Sequence, residues 1–138
     1  MILTNKAKYA TIAVIDILEA GLQKPVALSV VAARQNISLS FLEQIFSALK
    51  KSQIVKSIRG AGGGYMLAKK PQDINIADII FAIDEPIKMT RCSNKDGCVT
   101  KKTKCKTHDL WCGLERNIHN YLSSISIANI NENSKIKL

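Results

Sequence analysis

The sequence predicts a mainly α-helical fold with a small β-hairpin wing, in which a winged helix-turn-helix domain is followed by a cysteine-rich loop and a long C-terminal helix. Three observations predict it. An apolar period suited to helices runs through Tyr9 to Leu18 and again through Leu42 to Leu49. A strand, glycine turn and strand pattern follows at 54–67. Between Pro86 and Thr107 the hydrophobic period disappears, and three of the 4 cysteines appear there.

The first helix is expected from Thr4, a candidate N-cap, through Glu19. Tyr9, Ala10, Ile12, Ala13, Ile17 and Leu18 bury most of its circumference, and Gly21 ends it. Pro25 and the segment Val26 to Leu28 lead to Ser29, a candidate cap for a brief helix from Val30 to Gln35. Asn36 stops that helix and forms the turn. A second short helix then sets Leu42, Ile45, Phe46 and Leu49 toward a core, with Ser40, Glu43, Gln44, Ser47 and Lys50 facing away. Two short helices joined by such a turn make a helix-turn-helix, a module that lays its second helix in the major groove of DNA.

The stretch Ile54 to Ile58, the glycine-rich Arg59 to Gly64 and the apolar Tyr65 to Leu67 read as a hairpin wing. The glycines resemble a nucleotide loop only superficially. No Lys-Ser or Lys-Thr follows them, and Tyr65 stands where the last glycine of a dinucleotide fingerprint belongs. A helix from Ala77 to Ile83 completes the small core. After the cysteine-rich segment, Leu110, Trp111, Leu114, Ile118, Tyr121, Leu122 and Ile125 mark a last helix with one apolar side. A domain this small cannot cover that side, so a second copy of the chain is expected to do so. The organisation is therefore a winged helix-turn-helix domain at 1–84, a cysteine-rich loop at 85–107, a dimerisation helix at 108–128 and a flexible tail at 129–138.

Charge narrows the partners. The 138 residues carry 20 Lys and Arg against 11 Asp and Glu, a formal charge of +9. That favours a polyanion, either nucleic acid or an anionic membrane, and charge alone does not choose between them. The apolar run Tyr9 to Leu18 contains Asp16 and is far shorter than a bilayer span. The first residues lack the basic, apolar and cleavable order of a secretory leader, so a cytoplasmic, reducing location is expected, where thiols stay available for metal.

On the exposed side of the second short helix, Ser40, Gln44 and Ser47 can bond base edges or phosphates, and Gln suits the adenine edge. Any surface helix carries such residues, so their spacing is suggestive only beside the rest. Glu43 has two readings: an acceptor from a cytosine amino group, or the far member of a capping box begun by Ser40. Arg59 at the hairpin tip suits a narrow minor groove, and the glycines beside it allow close approach to phosphate. The cysteine loop offers Cys92, Cys98, Cys105 and His108, with five, six and two residues between successive members. Three thiolates and an imidazole complete a site for zinc or an iron-sulfur cluster, and intervals this wide favour the larger object. Lys88, Arg91, Lys95, Lys101, Lys102, Lys104 and Lys106 surround these donors and would lower thiolate pKa and offset cluster charge, or form a solvated basic loop. Cys105, His108 and Cys112, at intervals of three and four residues along an expected helix, project on one side, which makes Cys112 a spare or exchange ligand or a small buried hydrophobe beside Trp111. His119 reads as a surface residue. No nucleophile and base pair or carboxylate dyad points to an enzyme.

The order Leu3-Thr4, Tyr9-Ala10, Ile37-Ser38, Leu42-Glu43-Gln44, Arg59-Gly60, Gly62-Gly63-Gly64-Tyr65, Asp84-Glu85, Arg91-Cys92, Cys98, Cys105, His108 and Leu110-Trp111 resembles the iron-sulfur cluster regulators of the Rrf-type winged helix-turn-helix family. The likeness covers nearly the whole chain before the tail. It implies a homodimeric transcription factor on double-stranded, palindromic operator DNA. It also implies a 2Fe-2S cluster on Cys92, Cys98, Cys105 and His108, with 4Fe-4S or zinc as alternatives, and control of cluster-assembly genes. Cluster-assembly proteins would be the donors. It sets Ser38, Ser40, Glu43 and Gln44 in the recognition region and Arg59 and Gly60 in the wing. The second interval between cysteines is one residue longer than in the best-known members, and Cys112 stands at a position that is usually not a ligand. A zinc-stabilised regulator, or one responding to thiol redox state or nitric oxide, is the alternative from the same residues.

Overall fold

The computed structural model describes residues 4–85, 87 and 104–132. Its order is α1 (Asn5–Glu19), α2 (Leu28–Gln35), α3 (Leu39–Lys51), β1 (Val55–Ile58), β2 (Gly64–Leu67), a 3-10 turn (Pro71–Asp73), α4 (Ile76–Ala82), α5 (His108–Ser123) and α6 (Ile127–Asn131). The strands form an antiparallel pair with Val55 opposite Leu67 and Ile58 opposite Gly64. Ala10, Val14, Ile17, Val31, Leu42, Ile45, Phe46, Leu49, Ile54, Ile74 and Ile79 share one buried core beneath α1, α3 and α4. The apolar period of α3 is the face that enters it; from the expected face of α1, Ala10, Ala13 and Ile17 enter, Tyr9 and Leu18 pack partly against it, and Ile12 is not part of it.

Local chemistry at the helix ends differs from expectation in three places. Thr4 occupies the N-cap position of α1 in extended conformation, yet its side chain makes no capping bond. In α2 the cap is Ala27, not Ser29, because Val26 is held in a β-bridge and the chain turns into the helix directly after it. In α3 the cap is Ser38, so Ser40 lies inside the first turn and the Ser40 to Glu43 capping box does not form. Asn36 takes the left-handed conformation (φ 53°, ψ 49°) that ends α2, and Gly21 (φ 106°) follows the end of α1, both as the sequence suggests.

The C-terminal region differs more. The expected helix over 108–128 is two helices: α5 ends at Ser123, and Ser126 starts α6 through a reciprocal capping box with Asn129. Between them the backbone turns inward. Ile76 N–H donates to Ile125 O at 3.0 Å and Ile127 N–H to Ile74 O at 2.9 Å, while Ile127 is fully buried. These bonds sew the end of the chain to the segment before α4, and α6 packs on α1. Residues 129–131, expected as frayed tail, are the last turn of α6.

Candidate nucleic-acid interface and metal centre

The candidate reading face begins with α3. Leu42, Ile45, Phe46 and Leu49 are fully buried, which turns Ser40, Glu43, Gln44 and Ser47 outward to solvent. Ser38 and Ser40 are exposed at the helix start, with their hydroxyl oxygens 3.0 Å apart. The exposed carboxylate of Glu43 therefore has no capping-box role in α3. Leu39, also largely exposed, adds an apolar contact to this face.

The wing is locked to α3 rather than hung beside it. Val26 N–H donates to Tyr65 O at 2.9 Å and Tyr65 N–H to Val26 O at 2.8 Å, so the residue before the Ala27 cap of α2 joins the edge of the hairpin. The Tyr65 ring meets Phe46 of α3 edge to face, with centroids 5.0 Å apart. Those contacts fix the distance between α3 and the exposed tip carrying Arg59 and Gly60.

Two glycines of the tip are required by the protein's own backbone. A Cβ on Gly63 would stand 2.3 Å from Ile58 O, and one on Gly64 (φ +153°) would stand 2.3 Å from Val26 O. Gly60 and Gly62 face open space with positive φ. Only these two leave the backbone bare toward a ligand, so the expected role in close approach divides between structure and exposure.

An ion pair between buried Asp16 and exposed Arg34 holds α2 against α1. Asp16, 4% exposed, accepts from Arg34 through both carboxylate oxygens and from Gln35 Nε2 at 2.8 Å. A buried carboxylate is tolerated here because every partner is supplied. Sequence reasoning noted Asp16 only as a break in an apolar run. Its partners 18 and 19 residues on lie one helix away, and only the fold brings them together.

Of the proposed metal ligands, Cys92 and Cys98 lie outside the described residues. Cys105 is exposed, before α5, and His108 is the first residue of that helix. Cys105 therefore does not share a helical face with His108 and Cys112, contrary to expectation. Instead Cys105 O accepts from His108 N–H at 3.1 Å, while Cys105 Sγ lies 3.5 Å from Thr107 Oγ1. Trp111 Nε1 donates to the same hydroxyl at 3.2 Å. His108 is the buried residue of α5, at 4% exposed, with Nε2 3.4 Å from Cys112 Sγ. Among the described residues no group of three or more His, Cys, Asp or Glu converges to hold a metal ion; the His108–Cys112 pair and the separate, exposed Cys105 are soft donors, beside exposed Lys104 and Lys106. Such donors suit zinc or an iron-sulfur cluster and not a hard cation. His119 is exposed, as expected, and lies 3.5 Å through Nδ1 from Ser123 Oγ.

A groove of about 460 Å³ runs between α4 and α5, with Phe81, Ile87, Cys112, Arg116 and His119 among its walls. Phe81 is 85% exposed, Leu110 61% and Tyr121 41%. Among the described residues no helix is long and apolar enough to cross a membrane.

Comparison with known proteins follows the same outline. Residues 3–133 match the Rrf2 family, described as an iron-dependent transcriptional regulator. The chain is 43% identical over 136 residues to the HTH-type transcriptional regulator IscR of Photorhabdus laumondii subsp. laumondii, covering 99% of this chain and 82% of that one. It is 42% identical to the IscR of Xenorhabdus nematophila, with the same coverage. Among solved structures it is similar to T. potens IscR (TM-score 0.77, 31% identity, 98% of this chain and 89% of that one). It is also similar to CymR, the global cysteine regulator of B. subtilis (TM-score 0.81, 26% identity, 98% and 99%).

Proposed function

The chain belongs to the Rrf2 family of iron-dependent transcriptional regulators and is a DNA-binding regulator, not an enzyme; from that premise we propose that it is a cytoplasmic homodimer whose DNA binding reports iron-sulfur cluster supply. The observation that carries the cluster reading is the buried imidazole of His108 at the start of α5, three residues after Cys105, on the helix with the partly covered apolar side. Cys92, Cys98, Cys105 and His108 would hold a 2Fe-2S cluster, received from cluster-assembly proteins. When bound, the cluster supplies a redox-active and oxidant-labile centre whose occupancy follows supply.

The chain's own residues make the response. Thr107 receives the Trp111 indole N–H and fixes the first turn of α5. His108 donates its backbone N–H to Cys105 O and keeps that cysteine beside the helix start. Leu110 and Tyr121 offer the apolar surface that a second copy covers. After α5, Ile125 and Ile127 are hydrogen-bonded to Ile76 and Ile74 at the start of α4, so a change at the ligand turn has a packed route to the winged unit. In a two-fold dimer, two α3 helices meet successive major grooves of a palindromic operator, and through such operators the protein controls the genes of cluster assembly. Ser38, Ser40, Glu43 and Gln44 read bases and phosphates there, while Arg59 and Gly60 contact the adjoining minor groove.

The test is anaerobic purification with visible absorption and iron, sulfide and zinc analysis on one sample. Broad visible bands with equal iron and sulfide are expected. Colourless protein holding zinc after reconstitution would replace the cluster with a structural ion, and metal-free protein that forms a disulfide on oxidation would replace it with a thiol switch.

A further inference from the structure

We infer that Asp16 is a positioning residue for DNA reading: its buried carboxylate holds the last turn of α2 and, through it, the start of α3. The inference rests on the reading of α3 as the recognition helix. Arg34 Nε donates to Asp16 Oδ2 at 3.2 Å and Arg34 Nη2 to Oδ1, while Gln35 Nε2 donates to Oδ2 at 2.8 Å. Both donors stand on the last two residues of α2. A guanidinium edge against a carboxylate fixes an angle as well as a distance, and the amide adds a third bond from the neighbouring residue.

The carboxylate acts where apolar packing is thin. The buried residues of α2 are Leu28 and Val31, both in its first half, whereas Ala33 and Arg34 are exposed and Ala32 and Gln35 half-buried. Burial therefore secures the beginning of the helix, and the Asp16 bonds secure its end. From Gln35 only Asn36, Ile37 and Ser38 lead to Leu39, the first residue of α3. That turn has no slack. Asn36 is left-handed, Ile37 is buried and donates its N–H to Ala32 O at 3.0 Å, and Leu42 N–H donates to Ser38 O at 3.0 Å. A tilt of the end of α2 carries Ser38 and Ser40 with it.

Such a clamp suits base selection better than it suits stability. Desolvating a buried carboxylate offsets most of its attraction to a cation, and an apolar replacement of matched volume is often as stable. What the apolar contact lacks is direction. Base reading needs direction, because a hydrogen bond to a base edge weakens steeply as its donor angle departs from straight. Arg34 is 47% exposed, so direct contact of its guanidinium with a DNA phosphate is the rival role. Salt dependence separates the two, since only a phosphate contact releases a counterion.

The experiment compares wild type, Asp16→Asn, Arg34→Lys and Asp16→Leu/Arg34→Met, all prepared alike under anaerobic conditions. The probes are a duplex selected from random sequences by the wild-type protein and the same duplex scrambled. Urea unfolding reports stability, and binding isotherms at several salt concentrations report affinity. The ratio of the two affinities is expected to fall about tenfold in Asp16→Asn and in the apolar pair, with affinity for the scrambled duplex kept within about twofold. Arg34→Lys keeps the charge at an exposed site and gives up the two-bond geometry, so it tests the idea without touching the buried carboxylate. Its ratio should fall about fivefold at an unchanged salt slope. Wild-type selectivity in folded Arg34→Lys or in the folded apolar pair would overturn the proposal and leave the bonds a structural role only. A salt slope smaller by about one in the apolar pair, with both affinities down alike, would overturn it too and assign Arg34 to a phosphate. Unchanged selectivity in Gln44→Ala would instead overturn the reading of α3, and the positioning role with it.

Discussion

Replacing Gly64 with alanine should detach the wing from the helix-turn-helix, and replacing Gly62 should not. The Cβ at position 64 would lie 2.3 Å from Val26 O, 2.4 Å from Val26 C and 2.7 Å from Ala27 N, all backbone atoms of the bridged Val26 and of the Ala27 cap that follows it. Nothing flexible can give way, so the two bonds between Val26 and Tyr65 must open. Each backbone bond contributes about 1 kcal/mol net, and the left-handed backbone at φ +153° adds about 1 kcal/mol or more for a residue with a Cβ. The expected loss is about 3 kcal/mol. At Gly62 (φ +78°) a Cβ meets nothing within 4 Å, so only the conformational strain applies, about 1 kcal/mol. Both variants gain the same small offset from a less flexible unfolded chain. Urea unfolding of the pair should therefore separate them by about 2 kcal/mol. Fluorescence anisotropy with duplex DNA should show weaker binding for folded Gly64→Ala, because Arg59 no longer stands at a fixed distance from α3. A difference under about 0.5 kcal/mol would refute the claim that the Val26 bridge anchors the wing.

Other substitutions test separate parts of the account. Arg59→Ala should lower affinity for DNA by about 1–3 kcal/mol and reduce the slope of log affinity against log salt by about one, as read from binding isotherms at several salt concentrations. Ile127→Ala should destabilise the fold by about 2–5 kcal/mol in urea titration, since the side chain is fully buried and joins α6 to the core; a cost below about 0.5 kcal/mol would mean that the C-terminal turn is not part of it. Leu110→Glu, a change at an exposed site, should leave the far-ultraviolet spectrum intact and shift the sedimentation coefficient from dimer to monomer.

The parts of the fold legible in the sequence were those governed by repeating pattern. The buried side of α3, the left-handed Asn36 and the hairpin all follow from spacing and residue type, and the structure has them. What local pattern could not give were choices settled by distant partners. Ser29 and Ser40 have good capping chemistry, yet Val26 pairing with Tyr65 and the turn through Asn36 start the helices at Leu28 and Leu39. The apolar spacing from Leu110 to Ile125 reads as one helix because Ile125 fits its period. Backbone bonds from Ile74 and Ile76 draw that residue and Ile127 into the core instead. At the candidate centre, sequence placed Cys112 near His108, and the helix start sets which donors share a face: Cys112 with His108, and Cys105 before them.

The most direct test of the central claim is a selection from random DNA duplexes with one preparation of protein, half kept loaded under anaerobic conditions and half stripped of its cluster. The account predicts palindromic sites in the loaded pool whose affinity changes at least tenfold, about 1.4 kcal/mol, when the cluster is removed. The same sites bound with the same affinity by both halves would contradict it, leaving a DNA-binding protein whose metal centre has no part in the choice.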